Sequence, residues 1–239
     1  MQVCIVNSVT YRDMEVFVTG LLQAESSGKN FIYRSAVSFV RVRGGIYPRE
    51  LLRKYDLTDK TDSNRGGIVI VGSHVQKSTS QLHALESLSG MSSIEINVVE
   101  VIESDSRDKE IERVTDHANI SIHKGWDAVV YTSRQLVTGE NGDTSLLIGQ
   151  KESAALVDVM NGISEQPARI IAIGGITSSD IATQGLKIKR AQVISQAIPG
   201  VPIWLTEPES RWPGMIYIVF PDNVGGPNAR CDMVRILRE

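Results

Sequence analysis

The chain has 239 residues, and its apolar fraction of 41% can form a sizeable core and argues against intrinsic disorder. Its net charge of −3, its dispersed lysines and arginines and its aromatic content of only 5% argue against a nucleic-acid groove lined by stacking rings. No apolar run approaches the roughly 20 residues that cross a bilayer, and the first residues lack a secretory signal, so we expect no membrane partner and a cytoplasmic location.

The first part of the chain predicts two short strands and two helices. An apolar, β-branched run predicts a strand over residues 3–9, and an amphipathic helix follows over 10–26. Residues 31–33 predict a second strand, and residues 34–42 a second helix. Residues 47–65 contain Pro48, many charges and no sustained period, which is typical of a linker.

The remainder alternates strands with helices and then departs from that pattern. The predicted strands are residues 66–72, 94–102, 127–132, 169–173 and 215–220, and the predicted helices are residues 78–90, 105–123, 151–164 and 229–237. This alternation predicts a layered α/β/α fold with a mostly parallel sheet. Residues 191–207, centred on Pro199-Gly200, predict a C-terminal β-hairpin. Ser78 with Gln81 matches a capping box.

The Gly174-Gly175 pair lies between a buried apolar strand and a hydroxyl-rich helix start. Backbone N–H groups in the first turn of a helix have no internal partners, and glycines let an anion approach the main chain closely, so this turn favours bound phosphate. Thr177 with Asp180 also fits a capping box, a purely structural interpretation that the motif alone leaves open.

Two other loops follow predicted strands and could meet the Gly174-Gly175 turn at one edge of the sheet. They are residues 72–79 and 221–227. Ligands of open α/β sheets bind beyond the carboxyl ends of the strands, so these loops together could cradle a polyphosphate. Alternatively, the first loop is only a helix cap with a solvated Lys77. No Walker A and no dinucleotide-binding glycine motif occurs.

At these loops the chain resembles the four-carbon acid sugar kinases, over essentially its whole length. The matching segments are residues 33–40, 71–79, 131–134, 174–183, 189–191, 199–204, 209–214 and 220–225. The resemblance implies ATP-dependent phosphorylation of a hydroxyl on a small sugar acid such as a tetronate or 3-oxo-tetronate. It also implies an N-terminal substrate-binding domain, a C-terminal nucleotide-binding domain and a reaction in the cleft between them.

The resemblance implies a domain organisation and a set of binding residues. Residues 1–46 would be the C-terminal remnant of a substrate-binding domain, residues 47–65 a linker and residues 66–239 the nucleotide-binding domain. The implied ATP-binding residues are Ser73, Gly174, Gly175, Ile176, Thr177, Asn223 and Gly225. The implied substrate-binding residues are Arg34, Ser35 and Ser38. The catalytic base is not assigned.

Two of these assignments have alternatives. The planar guanidinium of Arg34 could bind the acceptor carboxylate in a bidentate manner, or it could form an ordinary surface ion pair. Asp180 could hold Mg²⁺ through water, or it could be a plain helix cap.

Three departures from the family pattern bear on activity. Most of the substrate-binding domain is missing, so a partner that supplies it, or a second copy of the chain against the exposed apolar surface of residues 1–46, is expected. Ile173 stands where the family branch usually has lysine, which would remove a phosphate-facing cation. Asp222 stands where glycine is usual, which would add a repulsive charge. The alternative to a kinase is therefore a catalytically inactive relative that binds nucleotide weakly or serves as an interaction module.

Overall fold

The computed structural model describes residues 3–52, 64–72, 76–135 and 137–238, without the side chains of Gln76 and Ser104. The chain divides into two compact units, Met1–Arg49 and Glu50–Glu239. Most of the predicted linker, residues 53–63, lies outside the described residues.

The first unit contains two helices, α1 (Tyr11–Ser26) and α2 (Val37–Arg43). Thr10 caps α1, because its hydroxyl accepts a hydrogen bond from the Asp13 amide at 3.2 Å while the Asp13 carboxylate accepts one from the Thr10 amide at 2.8 Å. Residues 3–8 and 29–36 have no regular structure, so the two predicted strands are wrong. An apolar run forms a strand only beside a partner that pairs its backbone groups, and the described part of this unit contains no strand.

The two helices of this unit share a small aromatic contact. Phe39 of α2 lies 6.4 Å from Phe17 of α1 and 5.2 Å from Tyr33, measured between ring centroids. Many of the unit's large apolar side chains remain exposed, as expected for a short half-domain; they include Val3, Ile5, Val16, Ile32, Val37 and Tyr47.

The second unit is built on a seven-stranded sheet. Its strands are β1 (Ile68–Val71), β2 (Met91–Ile96), β3 (Asp127–Thr132), β4 (Ile170–Ile173), β5 (Ala191–Ile198), β6 (Val201–Thr206) and β7 (Ile216–Phe220). The spatial order is β2-β3-β1-β4-β7-β6-β5. The pairs from β2 to β7 are parallel, and β6 pairs antiparallel with both β7 and β5. The predicted mostly parallel α/β fold with a C-terminal hairpin is therefore confirmed.

Six helices of the second unit connect these strands within the described residues. They are α3 (Gln76–Glu86), α4 (Val98–Ile102), α5 (Ser104–His123), α6 (Gly142–Gly162), α7 (Gly175–Asp180), which continues into a π-helical turn (Ile181–Gly185), and α8 (Ala229–Arg238). The strand predicted over 94–102 ends early, because the Asn97 side chain caps α4 through the Val99 amide at 3.0 Å. Helix α6 begins earlier than predicted, at a capping box formed by Asn141 and Thr144. No helix in the described part of the chain combines the length and apolar character that a bilayer span requires.

The central strands are buried on both faces, which explains their nearly continuous apolar sequence. Ile68 and Ile70 of β1 join an apolar cluster with residues of α5 and α6, including Val114 and Leu156. The alternate residues of β1 join a second cluster with α3 and α8. Helices thus cover both faces of the sheet, which gives the predicted three layers.

One buried carboxylate joins three segments at the edge where β1, β3 and β4 begin. Asp127, 1% exposed, accepts hydrogen bonds from Arg169 at 2.6 Å to each oxygen, from the Gly67 amide at 2.5 Å and from Arg238 at 3.1 Å. Charge-assisted and bidentate bonds of this kind are the strong ones in proteins. This cluster therefore holds the amino-terminal edge of the sheet together, away from the loops at the carboxyl edge.

Candidate functional site

The carboxyl ends of β1, β4 and β7 lie side by side, because these three strands are parallel neighbours. The loops that follow them touch. The Gly174 amide donates to the Phe220 carbonyl at 3.0 Å, and a Cβ atom at position 174 would lie 3.2 Å from Oδ2 of Asp222. A Cβ atom on Gly72 would clash with the Thr177 hydroxyl. The loops converge, as their positions after parallel strands predict, although Ser73 lies outside the described residues.

The turn at Gly174 presents backbone donors. Gly174 has φ +100° and ψ 141°, a conformation that residues with a side chain rarely adopt. It is the N-cap of α7, and no described residue accepts a hydrogen bond from the amides of Gly175, Ile176 or Thr177. Gly175 and Ile176 are exposed. The turn can therefore donate several hydrogen bonds to an anion.

The capping-box interpretation of this turn is wrong. Thr177 is not the N-cap but lies inside α7, where Gly174 precedes the first helical residue and no side chain caps the helix. Asp180 ends α7, and its oxygens accept hydrogen bonds from Ser153 of α6 at 2.5 Å and from Gln184 at 3.2 Å. The carboxylate thus joins α7 to α6 and lines a cavity of about 450 Å³ between them.

A second capping box predicted from the sequence, Ser78 with Gln81, is also wrong. Helix α3 begins at Gln76, so both residues lie within it. Both are fully buried, and the Gln81 amide donates to the Val224 carbonyl at 3.2 Å and the Gly226 carbonyl at 2.8 Å. Gln81 therefore fastens the loop after β7 to α3.

Lys77 also holds the loop after β7. Its ammonium donates to the Asn223 carbonyl at 3.0 Å, so this exposed lysine is not merely solvated. Asn223 and Gly225, both expected to contact ATP, are exposed in the same loop. The contact fixes the main chain of one predicted ATP-binding residue.

Arg230 of α8 is buried beneath this loop, and sequence reasoning did not identify it. The guanidinium is 2% exposed, donates to the backbone and hydroxyl oxygens of Ser78 at 2.8 and 2.7 Å, and lies 3.9 Å from Oδ1 of Asp222. Burial lowers the pKa of Arg230 to about 10, and the Asp222 charge offsets part of that effect. Arg230 is therefore protonated at neutral pH.

The pair changes what the two family departures mean. Asp222 was expected to add an uncompensated negative charge, but the buried Arg230 cation lies beside it. Ile173 was expected to mark a lost phosphate-facing cation. Its side chain is instead fully buried in the apolar cluster that contains Val71 and Phe220, so it does not line the turn.

The predicted acceptor-binding residues belong to the first unit. Arg34 and Ser35 are exposed in the irregular stretch before α2, and Ser38 lies in α2. A hydrogen bond with Ser38, followed by one with Arg41, lowers the pKa of the Tyr11 hydroxyl. No ion pair of Arg34 occurs within the described residues, which leaves its guanidinium available to a ligand.

Comparison with known proteins gives one family match and several similar folds. A family model described as a nucleotide-binding C-terminal domain matches residues 68–229. No protein of curated function is detectably similar in sequence.

Among solved structures, a Salmonella typhimurium LT2 protein named provisionally as a tRNA synthase is 15% identical with a TM-score of 0.65, over 96% of this chain and 51% of that one. A domain of unknown function (DUF1537) from Bordetella bronchiseptica, a domain-swapped dimer with bound citrate, is 14% identical with a TM-score of 0.59, over 73% of this chain and 42% of that one. The chain thus spans about half, or less, of the length of these structures, and the likeness shows the fold.

Proposed function

The chain belongs to the family of nucleotide-binding C-terminal domains, within the four-carbon acid sugar kinases, and from this membership we propose that its second unit binds the phosphates of ATP at the Gly174-Gly175 turn. One observation carries the proposal. The amides of Gly175, Ile176 and Thr177 have no acceptor among the described residues, and they lie where three loops at the carboxyl edge of the sheet converge. Backbone donors in such a concavity bind phosphate oxygens without needing a side-chain cation.

The reaction we propose is phosphoryl transfer from ATP to a hydroxyl of a four-carbon sugar acid. This transfer needs mainly positioning and neutralisation of charge on the moving group, and backbone donors supply part of both. The carboxylates of Asp222 and Asp180 are oxygen ligands of the type that Mg²⁺ prefers, and the nucleotide phosphates would supply others. When bound, Mg²⁺ would neutralise charge on the phosphates.

The acceptor would be held by its carboxylate. We keep Arg34, Ser35 and Ser38 as candidates for this contact, because the Arg34 guanidinium is exposed and suits a carboxylate geometrically. The citrate bound by the Bordetella domain, a small polycarboxylate, supports an acceptor of this class.

Pairing with a second copy of the chain is supported by two observations. The Bordetella domain is a domain-swapped dimer, and the first unit of this chain exposes many apolar side chains. Light scattering on the purified chain would give twice the monomer mass if this proposal holds, and the mass of a monomer would contradict it.

A non-catalytic nucleotide-binding module is the second candidate. The observation that favours it is the position of Asp222, whose carboxylate would lie 3.2 Å from a Cβ atom on Gly174 and so stands close to the proposed phosphates. Phosphorylation of tetronates by the chain together with a family-type substrate-binding domain would separate the two. Product formation supports the kinase, whereas nucleotide binding without any product supports the module.

Calorimetry tests the binding step common to both candidates. Titration of the chain with Mg·ATP, Mg·ADP and inorganic tripolyphosphate is expected to give saturable heat for all three, with dissociation constants of about a millimolar or lower. Tripolyphosphate is included because it offers only the phosphates. No heat from any of the three at millimolar concentration would contradict a working phosphate site.

Replacing Asp222 by Asn is expected to strengthen tripolyphosphate binding about tenfold and to lower stability by about 1–3 kcal/mol. Unit charges about 6 Å apart at an effective dielectric of about 20 interact by about 3 kcal/mol, and solvent screening of this partly exposed group removes about half. Stability falls because the buried Arg230 loses its countercharge. Calorimetry and urea denaturation measure the two effects.

Asp232→Asn is the matched control for Asp222, because Asp232 forms only an exposed pair with Arg235 on the far side of α8's charge pattern. It should change neither property measurably. Weaker tripolyphosphate binding by Asp222→Asn would contradict the repulsion argument and would make Asp222 a group that assists binding.

A further inference from the structure

A cavity of about 450 Å³ lies between α6 and α7, directly beside the proposed phosphate-binding turn. Gly72, Ile176 and Thr177 belong both to the wall of this cavity and to the converging loops. Its volume falls within the roughly 300–1,000 Å³ of pockets that hold drug-sized ligands. A ligand anchored by phosphates at the turn could therefore extend into the cavity without a break.

The charge of the cavity wall excludes an anionic occupant. Its ionisable side chains are two acids, Glu152 and Asp180, and no lysine or arginine lines it within the described residues. Phosphate or carboxylate groups would be repelled here. The oxygens of the two acids can still accept hydrogen bonds, since each carboxylate offers about four lone pairs and Asp180 accepts only from Ser153 and Gln184. The wall thus suits a neutral group that carries hydroxyl donors.

The rim of the cavity is aliphatic and exposed. Leu146 of α6 is 63% exposed and Ile176 of α7 is 76% exposed, and both line the cavity. Helix α6 begins at the Asn141 capping box, which fixes the position of Leu146 in the early turns of the helix. Exposed aliphatic side chains at a cavity rim offer apolar contact to a flat ring system.

We propose that this cavity binds the nucleoside half of the nucleotide, with the base against Leu146 and Ile176 and the ribose hydroxyls toward Glu152 and Asp180. The inference rests on the proposed phosphate site, because the shared residues at the turn set which end of the nucleotide enters. A nucleoside is the neutral, hydroxyl-bearing end of the molecule, and the acidic wall and aliphatic rim match it. The anionic sugar acid does not match this wall.

Calorimetry on the full-length chain with Mg·ATP and with inorganic tripolyphosphate tests the proposal. Leu146→Ser is expected to weaken Mg·ATP binding about tenfold and to leave tripolyphosphate binding within about twofold. Leu147→Ser is the matched control: Leu147 is the next residue of α6, is 56% exposed and does not line this cavity. It should leave both ligands unaffected.

The outcomes separate this inference from the proposed function. If wild-type chain binds both ligands and Leu146→Ser weakens both equally or neither, the nucleoside lies elsewhere and the phosphate site stands. Wild-type binding of Mg·ATP no tighter than tripolyphosphate would likewise overturn only the nucleoside cavity. If the wild-type chain binds neither ligand, both proposals are overturned.

Discussion

Gly174→Ala is expected to weaken tripolyphosphate and ATP binding at least about a hundredfold and to lower stability by about 2–3 kcal/mol. The residue has φ +100°, and a Cβ atom there would lie 3.2 Å from Oδ2 of Asp222. An alanine would either keep the turn under strain or rotate it, and rotation would move the amides of residues 175–177 away from a bound phosphate. Calorimetry and urea denaturation measure the two effects on one preparation.

Gly175→Ala is the matched control for this substitution. Gly175 has no positive φ, and a Cβ atom on it would meet nothing within 4 Å. We expect stability within about 0.5 kcal/mol of wild type and measurable phosphate binding. Equal loss of binding in Gly174→Ala and Gly175→Ala would show that bulk near the turn, rather than the conformation of Gly174, decides affinity.

Asp127→Ala is expected to lower the free energy of unfolding by about 3–5 kcal/mol. The substitution removes the acceptor of two hydrogen bonds from Arg169, of one from Arg238 and of the Gly67 amide. Arg169 would then carry a buried charge without this partner. Because the cluster lies at the amino edge of the sheet, phosphate affinity of the folded fraction should not change.

Asp158→Ala provides the comparison for Asp127. Asp158 also pairs with an arginine, Arg107 at 2.5 Å, but its side chain is 43% exposed, so its removal should cost about 1 kcal/mol or less. Urea denaturation of the two variants should differ by at least about 2 kcal/mol. Similar losses would show that burial of the Asp127 cluster does not govern its contribution.

The sequence predicted the sheet of the second unit well, because its strands are buried on both faces. Residues such as Ile68–Val71 and Ile170–Ile173 form unbroken apolar runs that no amphipathic helix would show. The strand predicted over 94–102 failed at Asn97, where a side-chain cap starts a helix within an apolar stretch. The apolar run at residues 3–9 failed because pairing, which the pattern does not contain, decides whether a strand forms.

Capping boxes were less dependable than strands. Both Ser78 with Gln81 and Thr177 with Asp180 have the correct spacing, yet their helices begin at other residues. The four-residue motif does not specify where a helix starts when buried contacts compete for its side chains. Ser78 accepts from Arg230, and Asp180 accepts from Ser153.

The glycine turn of the candidate site was visible in the sequence, whereas its support was not. Ser78 and Arg230 are 152 positions apart, and only the packed sheet brings them together. A polar residue within the apolar pattern of a helix, as Arg230 is in α8, was the available signal. Ile173 misled for a related reason, since the residue before the turn faces the core rather than the ligand.

Titration of ¹⁵N-labelled chain with Mg·ATP, followed by amide resonances, tests the phosphate site most directly. We predict that the amides of Gly175, Ile176 and Thr177 shift furthest and saturate with the affinity that calorimetry gives. Saturable shifts elsewhere while these three resonances stay in place would contradict the account.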